Sequence, residues 1–174
     1  MKALVVYESL FGNTEQVARA IADGLGEHVQ VDVVPVSISS AALADPVDLV
    51  VLGGPTHAFS MTREGTREDA VRQGADPGHA GTGIRDWIEA LQPGPHGELL
   101  ATFDTRVTKV RRLPGSAAKA AARALHKRGF VEAAAPESFY VADVGGPLEE
   151  GEVERARTWG ARLGATVAHR SPAG

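Results

Sequence analysis

The chain has 174 residues, 43% of them hydrophobic, and a formal net charge of −4, which predicts one globular domain. This mildly acidic balance gives no indication of a nucleic-acid or membrane partner, and no apolar run approaches the ~18 residues of a membrane span. The absence of cysteine excludes disulfides, thiolate metal ligands and cysteine nucleophiles, and it fits a cytoplasmic protein.

Apolar runs along the chain predict five strands. Central strands of a parallel sheet are buried on both faces, so they are continuously apolar, whereas edge strands alternate apolar and polar residues. Residues 29–34 alternate, which predicts an edge strand. The fifth strand is interrupted at Pro136, so we expect it at the other edge. The other three segments predict central strands: 3–7, 49–52 and 99–103. The five predicted strands in chain order are therefore 3–7, 29–34, 49–52, 99–103, and 130–135 with 139–142.

Amphipathic patterns between these strands predict helices on both faces of the sheet. Their apolar stripes include Val17, Ile21 and Leu25 in the first and Ile84, Trp87, Ile88 and Leu91 in a later one. Residues 115–129 form another, with Ser116 as N-cap, and residues 153–167 form the last. Alternation of strand and helix predicts a doubly wound α/β fold in a single domain, residues 1–168, followed by a frayed tail, residues 169–174.

One connection is longer than the others. Twenty-seven residues separate Pro55 from Gly83, which is long for a strand-to-helix connection. Within it, residues 66–75 predict a short helix that Thr66 and Asp69 cap together. The segment is either a lid or interface element, or a solvated insertion.

The turn that follows the first strand has the composition of an anion site. The sequence SLFGNT, residues 9–14, joins a strand to a helix, and N–H groups at a helix N-terminus bind phosphates. Gly12 allows close backbone approach, and Ser9, Asn13 and Thr14 add hydrogen-bonding side chains. The alternative is an ordinary capped helix in which Asn13 is the N-cap and Gln16 hydrogen-bonds back to it.

Two motifs together resemble flavodoxins and flavodoxin-like FMN proteins. YESLFGNTEQVA, from Tyr7, resembles the loop that holds the FMN phosphate, and GGPTHAF, from Gly53, resembles the second flavin loop. Residues 104–125 lie where the third flavin loop and its helix belong. The resemblance covers nearly the whole chain and implies a five-stranded parallel sheet with strand order 2-1-3-4-5.

The resemblance also implies a set of FMN-binding residues. No metal site is predicted, since the histidines other than His57 have no metal-ligand spacing. The residues that would hold the phosphate are Ser9, Leu10, Phe11, Gly12, Asn13 and Thr14. Those that would border the ribityl chain and the flavin ring are Pro55, Thr56, His57, Ala58 and Phe59. Those that would line the other side of the ring are Thr105, Arg106 and Val107. His57 is either a rim residue or a proton donor to flavin or substrate.

The flavin loops depart from those of carrier flavodoxins. Such carriers usually stack the ring between aromatic side chains and are strongly acidic. Here Phe59 is the only aromatic residue of the second loop, and the third loop has cations instead, at Arg106, Lys109, Arg111 and Arg112. These cations are either solvated or favour two-electron chemistry or an acidic partner.

The sequence therefore favours an FMN-binding electron-transfer protein. It would act as a carrier for a redox partner protein or as a small NAD(P)H-dependent reductase of a small-molecule acceptor, as a monomer or small homo-oligomer. The alternative is a scaffold or regulatory module that kept the flavodoxin fold and lost FMN.

Overall fold

The structure is a computed structural model that describes residues 1–40, 46–92 and 96–169. A parallel sheet forms its centre, with helices on both faces, as predicted. The strands are β1 (Lys2–Tyr7), β2 (Gln30–Pro35), β3 (Leu49–Pro55), β4 (Leu99–Val107), β5 (Val131–Glu132) and β6 (Glu137–Val141). The helices are α1 (Asn13–Leu25), α2 (Glu64–Arg72), α3 (Ile84–Ala90), α4 (Ala117–His126) and α5 (Glu152–His169).

The strand order confirms the predicted arrangement with one correction. The strands pair in the order β2-β1-β3-β4, with β2 at a partly exposed edge. The predicted fifth strand is two short strands, so the described sheet has six strands rather than five. Both pair with β4, β5 beside Leu99 and Leu100 and β6 beside residues 103–107. The interruption includes Pro136, which has no N–H to donate to the ladder.

Alternating side chains of the central strands feed two cores. In β3, Val51 belongs to the core under α1 and α5, whereas Val50 and Leu52 belong to the core under α3 and α4. Strand side chains point to opposite faces in turn, so a strand between two helical layers is apolar throughout. Trp159 and Trp87 are buried in the first and second core respectively, as the predicted packing roles require.

Helices α1 and α5 touch backbone to backbone. A Cβ atom on Gly160 would collide with the carbonyl group of Ile21, and one on Gly24 would collide with the carbonyl of Arg157. Only glycine allows this approach. The contact fixes α1 against the sheet, and with it the turn from which α1 begins.

Several predicted element ends differ from the structure. Helix α2 begins at Glu64, so Thr66 lies inside its first turn, where its Oγ1 accepts a hydrogen bond from Arg63 N at 2.8 Å. Strand β4 continues four residues past the predicted end at residue 103. Helix α5 reaches His169, and the rest of the predicted frayed tail, residues 170–174, lies outside the described residues. The single domain over residues 1–168 stays a prediction.

In the three described ranges, no helix combines the length and the apolar composition that crossing a bilayer requires.

Candidate functional site

A cavity of about 300 Å³ lies at the carboxyl edge of the sheet, at the ends of β1, β3, β4 and β6. Open α/β sheets bind ligands at this edge, and the volume is at the lower end for small-molecule sites. Of the predicted site residues, Ser9, Gly12 and Phe59 do not line the cavity. Those that line it are Leu10, Phe11, Asn13, Thr14, Pro55, Thr56, His57, Ala58, Thr105, Arg106 and Val107.

The first loop presents free backbone N–H groups to the cavity. Gly12 is the N-cap of α1, with φ 91°, and it has no side chain to cap the helix, so the alternative in which Asn13 is the N-cap is wrong. The N–H groups of Phe11, Asn13 and Thr14 donate to no atom within the described ranges. Such uncapped N–H groups, together with the helix dipole, attract an anion.

Ser9 braces this loop from within. Its Oγ accepts hydrogen bonds from Gly12 N at 3.1 Å and Glu15 N at 3.2 Å. The side chain is buried and does not line the cavity. Ser9 therefore fixes the shape of the turn, and the predicted direct phosphate contact stays a prediction.

A pair of threonine hydroxyls joins the first loop to β4. Thr14 Oγ1 and Thr105 Oγ1 are 2.7 Å apart, and both residues are buried at the wall of the cavity. In a hydroxyl pair only one proton is used between the two oxygens, so the other remains available to a ligand. The pair therefore offers one donor beside the free N–H groups.

The second loop is a tight turn. His57 and Ser60 exchange two backbone hydrogen bonds, at 2.9 and 3.0 Å, around Ala58 and Phe59, whose φ values of 47° and 62° are left-handed. Left-handed residues other than glycine, asparagine or aspartate store backbone strain, which concentrates at functional sites. The turn leaves Phe59 48% exposed and outside the cavity wall, so its ring is not a wall of this site.

Thr56 stabilises the start of α4. Its Oγ1 accepts the N–H of Ala117 at 2.8 Å, and buried Asp104 accepts the N–H of Ala118 at 2.9 Å through Oδ2. Ser116 Oγ accepts the N–H of Lys119 at 3.3 Å, as its predicted capping role requires. The N–H groups in the first turn of α4 therefore already have acceptors within the fold, unlike those of Asn13 and Thr14 in α1.

The third group of predicted residues does not lie on a loop. Thr105, Arg106 and Val107 are the last residues of β4, paired with β3 and β6. The strand continues because residues 103–107 find a second partner in β6. The loop proper begins at Thr108 with a short 3-10 turn, Thr108–Val110.

Arg106 is buried in the cavity wall. Its Nη2 donates to the carbonyls of Val110 at 2.7 Å and Leu113 at 3.2 Å, while its buried Nε has no partner in the described part of the chain. A buried guanidinium N–H without an acceptor is costly, and an acceptor from a ligand would satisfy it. Arg106 therefore holds the third loop and keeps one donor unused.

Helix α2 supplies cavity residues that the sequence motifs did not indicate. Thr66, Asp69 and Ala70 of α2 line the cavity with Gln73, the residue that follows the helix. Val141, at the end of β6, and Val144 line it as well. Ala70 also packs against Leu10 of the first loop, so α2 is not a detached solvated insertion. The i, i+3, i+4 and i+7 spacing was a signal for this face.

A buried carboxylate anchors this segment. Glu8 accepts hydrogen bonds from Thr62 Oγ1 at 2.5 Å and Ile84 N at 2.9 Å, and Arg67 ion-pairs with Asp86 at 2.9 Å beside it. Burial raises the pKa of the Glu8 carboxyl above its usual value, against the hydrogen bonds and the Arg67 charge. The network ties both ends of the long connection to β1 and so fixes α2 over the cavity.

His57 is half-buried at the cavity wall. Burial lowers the pKa of its imidazole, although a backbone hydrogen bond with Thr66 acts in the opposite direction. The ring is therefore neutral at neutral pH. A neutral ring has one donor and one acceptor nitrogen, which suits hydrogen bonding to a ligand better than it suits charge neutralisation.

Comparison with known proteins identifies the class of fold. Neither a comparison with protein-family models nor one with curated protein sequences finds a match. Among solved structures, Flavodoxin 2 from Bacillus cereus superposes with a TM-score of 0.67 at 20% identity, over 98% of this chain and 100% of that chain. A flavodoxin from the domain Archaea gives 0.66 at 19% identity, over 97% and 100%.

A third structure, the flavodoxin of Streptococcus pneumoniae TIGR4, gives a TM-score of 0.65 at 18% identity, over 95% of this chain and 99% of that chain. The coverage is almost complete in both directions for all three. The chain therefore has a flavodoxin-like fold.

Proposed function

We propose that this protein binds FMN in the cavity at the carboxyl edge of the sheet and passes electrons through it. The observation that carries the proposal is the row of free N–H groups at Phe11, Asn13 and Thr14, which open into a cavity of small-molecule size. The terminal phosphate of FMN has the charge and the acceptor oxygens that these donors require.

The rest of the cavity suits the remainder of the ligand. The hydroxyl pair of Thr14 and Thr105 offers a donor beside the phosphate, and Val107 and Val141 offer apolar contact for a ring. Arg106 Nε and neutral His57 offer hydrogen-bond donors at the polar edge of that ring. FMN, when bound, supplies the electron-transfer chemistry, and these residues bind it, orient it and exclude water.

The positive charge at the cavity favours a different electron-transfer partner from those that acidic carriers use. Arg106 is buried in the wall, and a cation at short range stabilises added negative charge on a bound ligand. The electron acceptor is then a redox partner protein or a small molecule that reaches the cavity. A reductase would also oxidise NAD(P)H by itself, which a carrier would not.

The test is titration of the apo-protein with FMN and with riboflavin, followed by flavin fluorescence. Because the N–H groups have no partner without a phosphate, FMN should bind much more tightly than riboflavin. The matched variant is Gly12→Val, since a Cβ at Gly12 meets no protein atom within 4 Å but the left-handed φ is strained for valine. It should weaken FMN and leave riboflavin nearly unchanged. Equal affinities for the two ligands contradict a phosphate role.

A second candidate is a flavodoxin-fold scaffold without FMN. The observation in its favour is that Phe59, the one aromatic residue of the second loop, does not line the cavity. A purified protein without flavin absorbance, whose apo form does not bind added FMN, would identify this function instead.

A further inference from the structure

Positive charge is concentrated in one part of the chain. Residues 105–131 contain eight of the 18 Lys and Arg residues and no Asp or Glu, although the net charge of the chain is −4. Arg106 is buried and Arg128 is half-buried, with its guanidinium donating to the Leu91 carbonyl. The other six are exposed, and we call them the basic face: Lys109, Arg111, Arg112, Lys119, Arg123 and Lys127.

Half of the basic face lies along α4 and Lys127, the residue that follows it. Lys119, Arg123 and Lys127 follow at intervals of four residues, so they lie on one side of the helix over about 12 Å. Ala117, Ala121 and Leu125 follow at the same interval and are buried against the sheet, which turns these three cations to solvent. Lys109, Arg111 and Arg112 continue the positive surface on the third loop.

The side chains of the basic face have no charged partners among the described residues. None of the six forms an ion pair or a side-chain hydrogen bond with a residue of the three described ranges. Among the exposed arginines in the rest of the described ranges, Arg19, Arg72 and Arg157 have carboxylate partners, whereas Arg63 and Arg162 form no ion pair. Glu132 lines a small cavity with Arg123 but forms no ion pair with it. The like charges of the basic face therefore repel one another, and an anionic partner would relieve that repulsion.

The basic face begins at the cavity. The N–H of Ala117, at the start of α4, donates to Thr56 in the cavity wall, and Gly115 packs against the backbone of Phe59. Two large apolar side chains are exposed at this junction, Phe59 at 48% and Leu113 at 47%. An apolar centre with charged residues around it is the usual anatomy of a protein–protein interface.

We propose that the basic face, with Phe59 and Leu113, docks an acidic partner protein over the cavity. The inference rests on the proposed function, because it gives the redox partner its chemical class. A protein fits better than a nucleic acid, since Phe59 and Leu113 offer apolar contacts beside the cations and the net charge of −4 repels an extended polyanion. Charge complementarity would steer such a partner to the mouth of the cavity.

The experiment measures binding of a fluorescent glutamate-rich peptide that contains leucines, by anisotropy, at low and physiological ionic strength. The key variant is Lys119→Glu, which places glutamate three residues after the N-cap Ser116 and so completes a capping box that preserves α4. A second variant combines it with Arg123→Glu. The control is Arg162→Glu, an equally exposed arginine on α5.

Wild-type protein should bind the peptide, with affinity that falls as salt rises. Lys119→Glu should weaken binding about two- to fivefold, the double variant more, and Arg162→Glu much less. Absence of peptide binding, or an equal effect of Arg162→Glu, overturns the proposal. So does duplex DNA, or vesicles of anionic lipid, that bind the basic face more tightly than the peptide.

The same titration is run on the apo and FMN-loaded protein so that the two proposals fail separately. FMN binding without peptide binding overturns the docking surface and leaves the flavin site intact. Peptide binding by a protein that takes up no FMN supports the docking surface and contradicts the electron-transfer function.

Discussion

The hydroxyl pair of Thr14 and Thr105 gives the sharpest separation of folding from ligand binding. Both residues are buried and their oxygens are 2.7 Å apart. Thr14→Val keeps the shape of the side chain but removes its hydroxyl. Thr105 then loses its hydrogen-bond partner, and the ligand loses a donor. A buried hydrogen bond broken on one side destabilises by about 1–3 kcal/mol, whereas removing both partners is nearly neutral.

Stability and affinity should therefore respond differently in a double-mutant cycle. Each single valine variant should lower the free energy of unfolding by about 1–3 kcal/mol, and the double variant should recover much of that loss. FMN affinity should not recover, because the double variant has no hydroxyl left for the phosphate. A lost hydrogen bond to a charged group of about 1.5–3 kcal/mol corresponds to roughly 10- to 150-fold in dissociation constant.

The measurements are denaturant unfolding and flavin fluorescence on all four proteins, with riboflavin as the ligand control. Riboflavin lacks the phosphate, so its affinity should be nearly constant across the cycle. FMN and riboflavin that weaken in parallel, or a double variant with wild-type FMN affinity, would refute the assignment of this pair to the phosphate.

Three further predictions concern the fold and the charge around the site. Gly160→Ala should lower the free energy of unfolding, measured with denaturant, by about 1–3 kcal/mol or more, because the new methyl group collides with the Ile21 carbonyl. Gly65→Ala, inside α2, should be neutral or slightly stabilising, because its new methyl group meets nothing within 4 Å. Equal effects of the two variants contradict the α1–α5 contact. Burial raises the pKa of Glu8, so the native state holds a proton that the unfolded state releases above about pH 4.5, and this part of the stability is lost as pH rises from there through the higher native pKa. Glu8→Gln should remove that slope, and an unchanged pH profile of unfolding excludes Glu8 as its source. Finally, the basic face should make the reduced FMN-loaded protein react faster with the anion ferricyanide at low salt than at high salt. The cation hexaamminecobalt(III) should show the opposite trend. If both salt dependences are reversed, the negative net charge dominates at the cavity.

The proposed docking surface and the cavity wall share one loop. Arg106 holds the carbonyls of Val110 and Leu113 from inside, and the exposed Lys109, Arg111 and Arg112 belong to the same loop. A partner that docked on this loop would therefore contact the residues that Arg106, in the cavity wall, holds in place. This gives a physical route by which docking and electron transfer would influence each other.

Local sequence patterns determined the sheet, the helices and most of the cavity residues. Continuous apolar runs at residues 3–7 and 49–52 identify strands buried on both faces, because a doubly wound sheet leaves them no solvated face. The turn before α1 is likewise local, since its glycine and its helix start are adjacent in the chain. In a parallel sheet the carboxyl ends of the strands share one edge, so residues after β1 and β3 were expected to meet there.

Only the tertiary structure decided where β4 ends, how the site is closed and which donors remain free. Thr105 to Val107 extend β4 because β6, thirty residues later, provides hydrogen-bond partners that no local pattern shows. Helix α2 reaches the cavity because Glu8 and Arg67 anchor the long connection through contacts between segments distant in sequence. The hydroxyl of Thr56 accepts the first N–H of α4, whereas the N–H groups of Asn13 and Thr14 in α1 have no acceptor in the described ranges. Each of these outcomes depends on pairing between distant residues, which propensity and spacing within one segment do not contain.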